Sequence, residues 1–375
     1  MRKQYLQVVK SQFAAGRYLW LPQQGIKYIR SYVSSVVGKP LTGPILGTVV
    51  ATYRCNNRCF MCDSLNKAQD SEKSGLRELD TTAMLTILDE FAALGTTGVG
   101  FTGGEPLLRP DIFTLLRHSK DLGIVTHLNT NGCLLTPGCV EQLIETGVDS
   151  INISLDGATA ETHEAARRVH GGFQRILDGV QFILEQRRRH HRSVTVNFVS
   201  VMSRNNVHEI KDLVKLAIEH HVDGIGFIPV HGFYPEFQSD RQQIMSDPAW
   251  MSTLDQTVEG LIAMKRQGSP IENSQAYLKL FKLCFRGKPL PIPCYAGYTS
   301  CVVDCYGDIF PCVPWNNWDR SVQNIRNTSL KAFWYSKEYE NIRKIRINPC
   351  RDCFWNCHTE MNLLYSPFLR ANQQG

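Results

Sequence analysis

Between about residues 45 and 232 the apolar positions change period again and again. Short runs rich in β-branched and apolar residues fall at 48–53, 98–102, 125–129, 150–154, 194–201 and 224–230, and they read as strands. Between them, apolar residues recur every three or four positions, as in Met84, Leu88 and Phe91, or Ile176, Val180 and Ile183, and again over 208–220. These stretches read as helices with one buried face. Asp80 before two threonines supplies a helix start. Six strands alternating with helices predict an α/β fold with a parallel sheet and right-handed crossovers. Curving that sheet gives a partial barrel, whose chemistry belongs at the C-terminal ends of the strands.

The flanks have a different texture. In residues 1–44, Leu6, Val9 and Phe13 share one helical face while Lys3, Lys10 and Arg17 share another. Beyond Pro22 the pattern continues through Ile26, Ile29, Val33 and Val36, and Pro40 and Pro44 close the segment. An amphipathic helical extension of this kind can pack its apolar face on the barrel. It can also lie on an anionic membrane surface, with its tyrosines, Phe13 and Trp20 at the interface. Its lack of acids also resembles a transit peptide. Residues 233–285 read as a helical bridge. From 286 to 375, cysteines crowd among Gly, Pro and aromatic residues, which suggests a small metal-stapled module distinct from the barrel.

Charge sharpens this picture. Of the 41 lysines and arginines, seven lie in residues 1–44, which hold none of the 35 acidic residues, so the net charge of +6 is concentrated there. The basic run at 187–192 ends a helix, where cations complement the dipole. Without interleaved aromatics it gives no nucleic-acid surface. No run of about 18 apolar residues marks a membrane span.

Thirteen cysteines demand a chemical role. The N-terminus has no signal-peptide core, and the cysteines cluster at ligand spacings, so reduced, metal-bound thiolates in a cytoplasmic setting are the favoured reading, peripheral to the membrane if the basic segment docks there. Cys55, Cys59 and Cys62 follow the first strand as C-x3-C-x2-C. Three soft ligands suit an iron–sulfur cluster and leave one metal position open, as catalytic sites do. Structural zinc is the bland alternative, but the paired C-x2-C knuckles of a zinc ribbon are lacking.

With Thr102-Gly103-Gly104-Glu105-Pro106 ending the second strand, this arrangement resembles the radical S-adenosylmethionine (SAM) superfamily over roughly residues 45–232. The resemblance implies a partial (β/α)6 TIM-like barrel and a 4Fe–4S cluster on Cys55, Cys59 and Cys62. It also implies SAM bound near Gly103, Gly104, Glu105, Pro106, Asn131, Ser154 and Asp156. Glu105 would meet a cationic amine. Arg167, in a His163-Glu164-x-x-Arg167 stretch that departs from the family by Glu for Asp, would meet the cofactor carboxylate. The implied activity is reductive cleavage of SAM to a 5′-deoxyadenosyl radical that abstracts hydrogen from a substrate.

The second constellation comprises Cys294, Cys312 and the run Cys350-x2-Cys353-x3-Cys357. It is similar to the SPASM or shorter twitch extension, which binds auxiliary 4Fe–4S clusters, although zinc also fits a C-x2-C with a remote pair. One cysteine fewer than the complete SPASM run implies one auxiliary cluster, on Cys294, Cys312 and two of the final three, with Cys284, Cys301 and Cys305 as supplements. Relatives with this extension modify peptides or small molecules, and a flavodoxin- or ferredoxin-type electron donor is implied. The 44-residue extension is short for a peptide-recognition domain, which favours a small or membrane-associated substrate. The reading from another class is a non-enzymatic metal-binding or electron-relay protein, although a relay needs no nucleotide pocket.

Overall fold

The computed structural model describes residues 9–10, 12–13, 16–230, 247–317 and 322–366. Lys3 and Leu6 of the N-terminal pattern and residues 233–246 of the bridge lie outside them. Six parallel strands, β1 (Leu46–Thr52), β2 (Gly98–Gly103), β3 (Val125–Thr130), β4 (Ser150–Ser154), β5 (Thr195–Met202) and β6 (Gly224–Pro229), stand side by side in chain order. The helices between them include Thr81–Ala93, whose cap is the anticipated Asp80 accepting from the Ala83 amide at 2.9 Å.

The strands alternate cleanly. One set of side chains, including Val99, Phe101, Leu128, Ile151, Ile153, Val196, Phe198, Ile225 and Phe227, is buried in the main hydrophobic core with the helices. The opposite set forms an inner face of another chemistry. At Arg187, the first residue of the basic run, the guanidinium pairs with Asp223 and so ties a helix end to the sheet.

The C-terminal module is not detached from the barrel, contrary to expectation. Strand β7 (Ser300–Val303) lies parallel to β1, in register from Leu46 opposite Ser300 to Val49 opposite Val303. Strands β8 (Asp308–Phe310) and β9 (Gln323–Asn324) add antiparallel beyond it, making a sheet of nine. As the first strand of an open barrel, β1 has a free edge of backbone donors and acceptors, and β7 satisfies it. On the far side, the helix Asn356–Leu364 carries Glu360, which accepts from the Ser274 amide at 2.7 Å beside β6, and His358, 3.5 Å from Ser300 Oγ on β7. This C-terminal helix therefore bridges the two ends of the parallel strands.

The N-terminal helix Trp20–Val37 does not pack its apolar stripe on the barrel. Its buried residues are Trp20, Lys27, Ser31 and Ser34, whereas Ile26, Ile29, Val33 and Val36 face outward. Trp20 packs against Val125 rather than standing at an interface. Lys27 Nζ donates to the Gly95 carbonyl, just before β2, and Ser31 Oγ donates to the Tyr298 carbonyl at 3.1 Å, just before β7. The strands begin in turns whose carbonyls need donors, so the polar face wins the inside. No helix among the described residues is long and apolar enough to cross a membrane.

Candidate cluster and cofactor site

The cysteine loop leaves the C-terminal end of β1 and is pinned from two directions. The Gly104 amide donates to the Thr52 carbonyl and the Glu105 amide to the Arg54 carbonyl, both at 2.8 Å. Gly103 has φ +140°, and a Cβ there would collide with the Thr52 carbonyl, as one at Gly104 would with those of Arg54 and Tyr53. Both glycines are thus required where β2 passes directly beneath the loop. From the other side, the Arg58 and Phe60 amides donate to the Arg167 and Ala166 carbonyls at 3.3 Å, at the end of the helix Ala160–Arg167. Pro106 is buried at the start of a short 3-10 turn after β2.

Each thiol has its own setting. Cys55 Sγ accepts from the Asn57 amide at 3.4 Å and from Asn131 Nδ2 at 3.8 Å, while Cys59 Sγ accepts from Arg167 at 3.8 Å. Cys62 is exposed and its thiol reaches Ser64 Oγ at 3.3 Å. Burial pushes the Cys55 thiol up to about 11, and it raises Cys59 against the opposing pull of Arg167. Thiols held neutral by burial are ionised by a bound metal's charge, so the set fits a metal cluster.

Two charged residues expected to face a ligand are engaged within the protein. Glu105 is fully buried, and its carboxylate accepts from Thr130 Oγ1 at 2.8 Å, the Asn131 amide at 2.7 Å and the Leu107 amide at 3.1 Å. Burial raises its pKa to about 7 against the pull of those donors. It clamps the end of β2 to the end of β3. Arg167 Nε pairs with Asp156 at 2.6 Å, and its Nη1 reaches Cys59 Sγ at 3.8 Å. Burial works against the guanidinium charge, and Asp156 more than restores it. Asp156 is itself anchored by the Val201 amide at 2.8 Å. Arg167 thereby ties the cysteine loop to Asp156. Ser154 stands half-buried at the end of β4.

Some site residues have roles that the sequence did not assign. His163 is buried, its Nδ1 accepts from the Asp156 amide at 3.2 Å, and burial lowers its pKa to about 4. Arg109, just beyond the Gly103–Pro106 stretch, donates to the Ala51 and Leu79 carbonyls at 3.1 and 2.8 Å and braces β1 from below the loop. The inner face holds a ladder: Asn197 donates to Asn152 at 3.1 Å, Asn152 to Asn129 at 3.0 Å and Asn129 to the Phe101 carbonyl at 3.3 Å. Gly98, Gly100, Gly224 and Gly226 line the same face beside His127, Asn129, Asn197 and Asn356. Large aliphatics usually fill such an interior; here it is lined by small and polar residues.

The C-terminal thiols also converge. The Cys294 thiol hydrogen-bonds to Cys350, which lowers Cys350 to about 7, and Cys353 lies among Cys312, Cys350 and Cys357. Cys301 neighbours Arg343 and Tyr339, and Cys305 sits beside Asp304 and Glu78.

A family model described as the radical SAM superfamily matches residues 49–217, and one described as an iron–sulfur cluster-binding SPASM domain matches residues 294–354. An AdoMet-dependent heme synthase of Methanosarcina barkeri is 30% identical over 305 residues, covering 78% of this chain and 82% of the relative. The chain belongs to the radical SAM superfamily. A PqqA peptide cyclase of Ruegeria pomeroyi is 35% identical over 143 residues, covering 38% of this chain and 37% of the cyclase. Streptococcus suis SuiB bound to S-adenosylmethionine shares the fold with a TM-score of 0.61 at 19% identity, covering 86% of this chain and 70% of SuiB. As a radical SAM enzyme with a SPASM domain, the protein uses a SAM-binding 4Fe–4S cluster, SAM itself and an auxiliary iron–sulfur centre. The non-enzymatic relay reading falls with that membership.

Proposed function

We propose that this radical SAM enzyme oxidises or rearranges a polar substrate held on the inner face of its barrel. The bound cluster and SAM supply the chemistry: one electron cleaves a carbon–sulfur bond of SAM, releasing methionine and a 5′-deoxyadenosyl radical that takes a hydrogen atom from the substrate. Cys55, Cys59 and Cys62 hold the cluster. Gly103, Gly104, Glu105 and Pro106 shape the floor beneath it, while Asn131, Ser154, Asp156 and Arg167 order the strand ends around the cofactor. Positioning of this kind is the protein's share of catalysis. Cys294, Cys312, Cys350 and Cys353 would hold one auxiliary 4Fe–4S cluster, which would supply an electron acceptor or an anchor for the substrate. A flavodoxin- or ferredoxin-type protein supplies the first electron, and the basic N-terminal segment contacts an anionic membrane surface from the cytoplasmic side.

The observation that carries this reading is the locking of the cysteine loop to three strand ends at once. Asn131 bonds it to β3, the Asp156–Arg167 pair to β4, and the Gly104 and Glu105 amides to β2. A polar substrate is favoured by the asparagine ladder and by Asn197 Oδ1, a buried acceptor with no hydrogen-bond partner among the described residues. Likeness to a heme synthase over most of the chain supports a small molecule, and likeness to a peptide cyclase over 143 residues supports a peptide. Anaerobically reconstituted protein, incubated with SAM and a strong reductant, tests the reaction. We expect 5′-deoxyadenosine and about eight iron atoms per chain, from two 4Fe–4S clusters. Full cluster loading with no cleavage, even with tetrapyrrole and peptide candidates present, overturns the reading.

A further inference from the structure

We propose that the outward face of the helix Trp20–Val37 is the membrane-docking surface, and that it seats the base of the barrel on an anionic bilayer with the cysteine loop turned away. The inference rests on the reading of the N-terminal segment as a membrane contact. It adds which face makes the contact and how the enzyme stands on the bilayer.

The helix is amphipathic in reverse. Ser31 and Ser34 are 0% and 1% exposed, while Ile29 and Val36 are 66% and 69% exposed. At 3.6 residues per turn, Ile26, Ile29, Val33 and Val36 form one stripe, on the side of the helix turned away from Lys27, Ser31 and Ser34. Leu19 and Leu41 extend the apolar surface at the helix ends, and both are exposed. Beside the C-terminal end, Lys344 approaches Gly38, and the adjoining Ile345 is 71% exposed. Single exposed aliphatics are ordinary, but a continuous stripe is the mark of an interaction surface.

Charge selects the occupant. The first 44 residues hold seven basic residues and no acidic one, and Lys10, Arg30 and Lys39 are exposed. A symmetric contact with a second copy sets this basic segment against itself, with no acid in it to answer. An anionic lipid surface satisfies both features: the aliphatic stripe enters the acyl boundary while the lysines and arginines meet headgroups.

Orientation follows from the anchor points. The buried face bonds to Gly95 and Tyr298 and packs on Val125, all at the N-terminal ends of strands. The cysteine loop projects from the opposite, C-terminal ends. Docking therefore leaves the mouth of the barrel open to soluble substrate and electron donor, so the membrane serves as a tether rather than as the source of the substrate.

Vesicle flotation of the full-length holoprotein tests this, with vesicles of phosphatidylcholine alone and of equimolar phosphatidylcholine and phosphatidylglycerol. The wild type should float with the anionic vesicles and about tenfold less with the neutral ones. The double variant Ile29→Glu with Val36→Glu should lose anionic binding by about tenfold or more, with deoxyadenosine formation in solution unchanged as proof of folding. Ile218→Glu, the same change at an exposed residue on another helix, should bind as the wild type does. If the wild type binds and the double variant binds equally, the assigned face is wrong although a membrane contact stands. If the wild type binds neither vesicle, both readings fall. A dimer seen by light scattering and broken by the double variant makes the face a self-association surface and overturns the proposal.

Discussion

The two ends of the barrel break the same rule in opposite ways. At the mouth, Glu105, Asp156 and Arg167 bury charge where apolar residues are the norm. At the base, the helix Trp20–Val37 exposes aliphatics and buries Lys27, Ser31 and Ser34. The violation at the mouth is compensated inside the chain, because each buried charge meets an ion-pair partner or a set of amide and hydroxyl donors. The one at the base is only half compensated: the buried polar groups have partners, while the exposed apolar stripe has none among the described residues. A rule broken and repaired internally marks a preorganised site. When the repair is left to the outside, the feature marks a surface made for something beyond the chain.

The strongest way to break this comparison acts at the mouth. Cys59→Ala should abolish deoxyadenosine formation while leaving vesicle binding intact; if vesicle binding also disappears, the two ends are not independent. Next in size is the buried pair. Asp156→Asn or Arg167→Met strands a buried charge and should cost about 3–5 kcal/mol in denaturant unfolding, with loss of iron from the first cluster. Replacing both residues together should cost less than the sum, and simple additivity would deny that they act as a pair.

The base offers a pH test. Burial lowers Lys27 to about 7, so its charged form is disfavoured in the fold. Between about pH 7 and the ordinary lysine value, the unfolded chain binds a proton that the native chain has shed, so this residue makes stability rise with pH across that window. Below about 7 both states are protonated and the contribution is flat. Lys27→Met should remove a slope worth on the order of a few kcal/mol, read as the difference between the two proteins' unfolding midpoints from pH 7 to 10. The smallest effect is expected on the inner face. Asn152→Ala cuts the ladder and should cost about 1 kcal/mol in stability. It should also raise KM for the true substrate while deoxyadenosine formation without substrate is unchanged.

Much of this architecture is legible in the amino-acid sequence. The six strands of the core appear within one or two residues of their sequence periods, because each buries one face under helices and so writes a strong pattern. The cysteine loop and the Gly103–Pro106 stretch are legible because their chemistry is local in the chain. The roles of Glu105 and Arg167 are not, since Thr130, Asn131 and Asp156 reach them only across strand ends. The inner-face ladder is hidden too: Asn129, Asn152 and Asn197 are isolated polar residues in three strands until the register aligns them.

The sequence by itself determined the parallel core, the two cysteine constellations, the apolar stripe of the N-terminal helix and the basic charge around it, because each is written in nearest neighbours and short periods. Only the tertiary structure decided that β7 extends the sheet from β1, that the C-terminal helix bridges β6 and β7, and that the stripe faces outward. Periodicity tells which residues share a face, but not which face turns inward. Here the carbonyls of Gly95 and Tyr298, brought together by the sheet, required donors, and Lys27 and Ser31 supplied them.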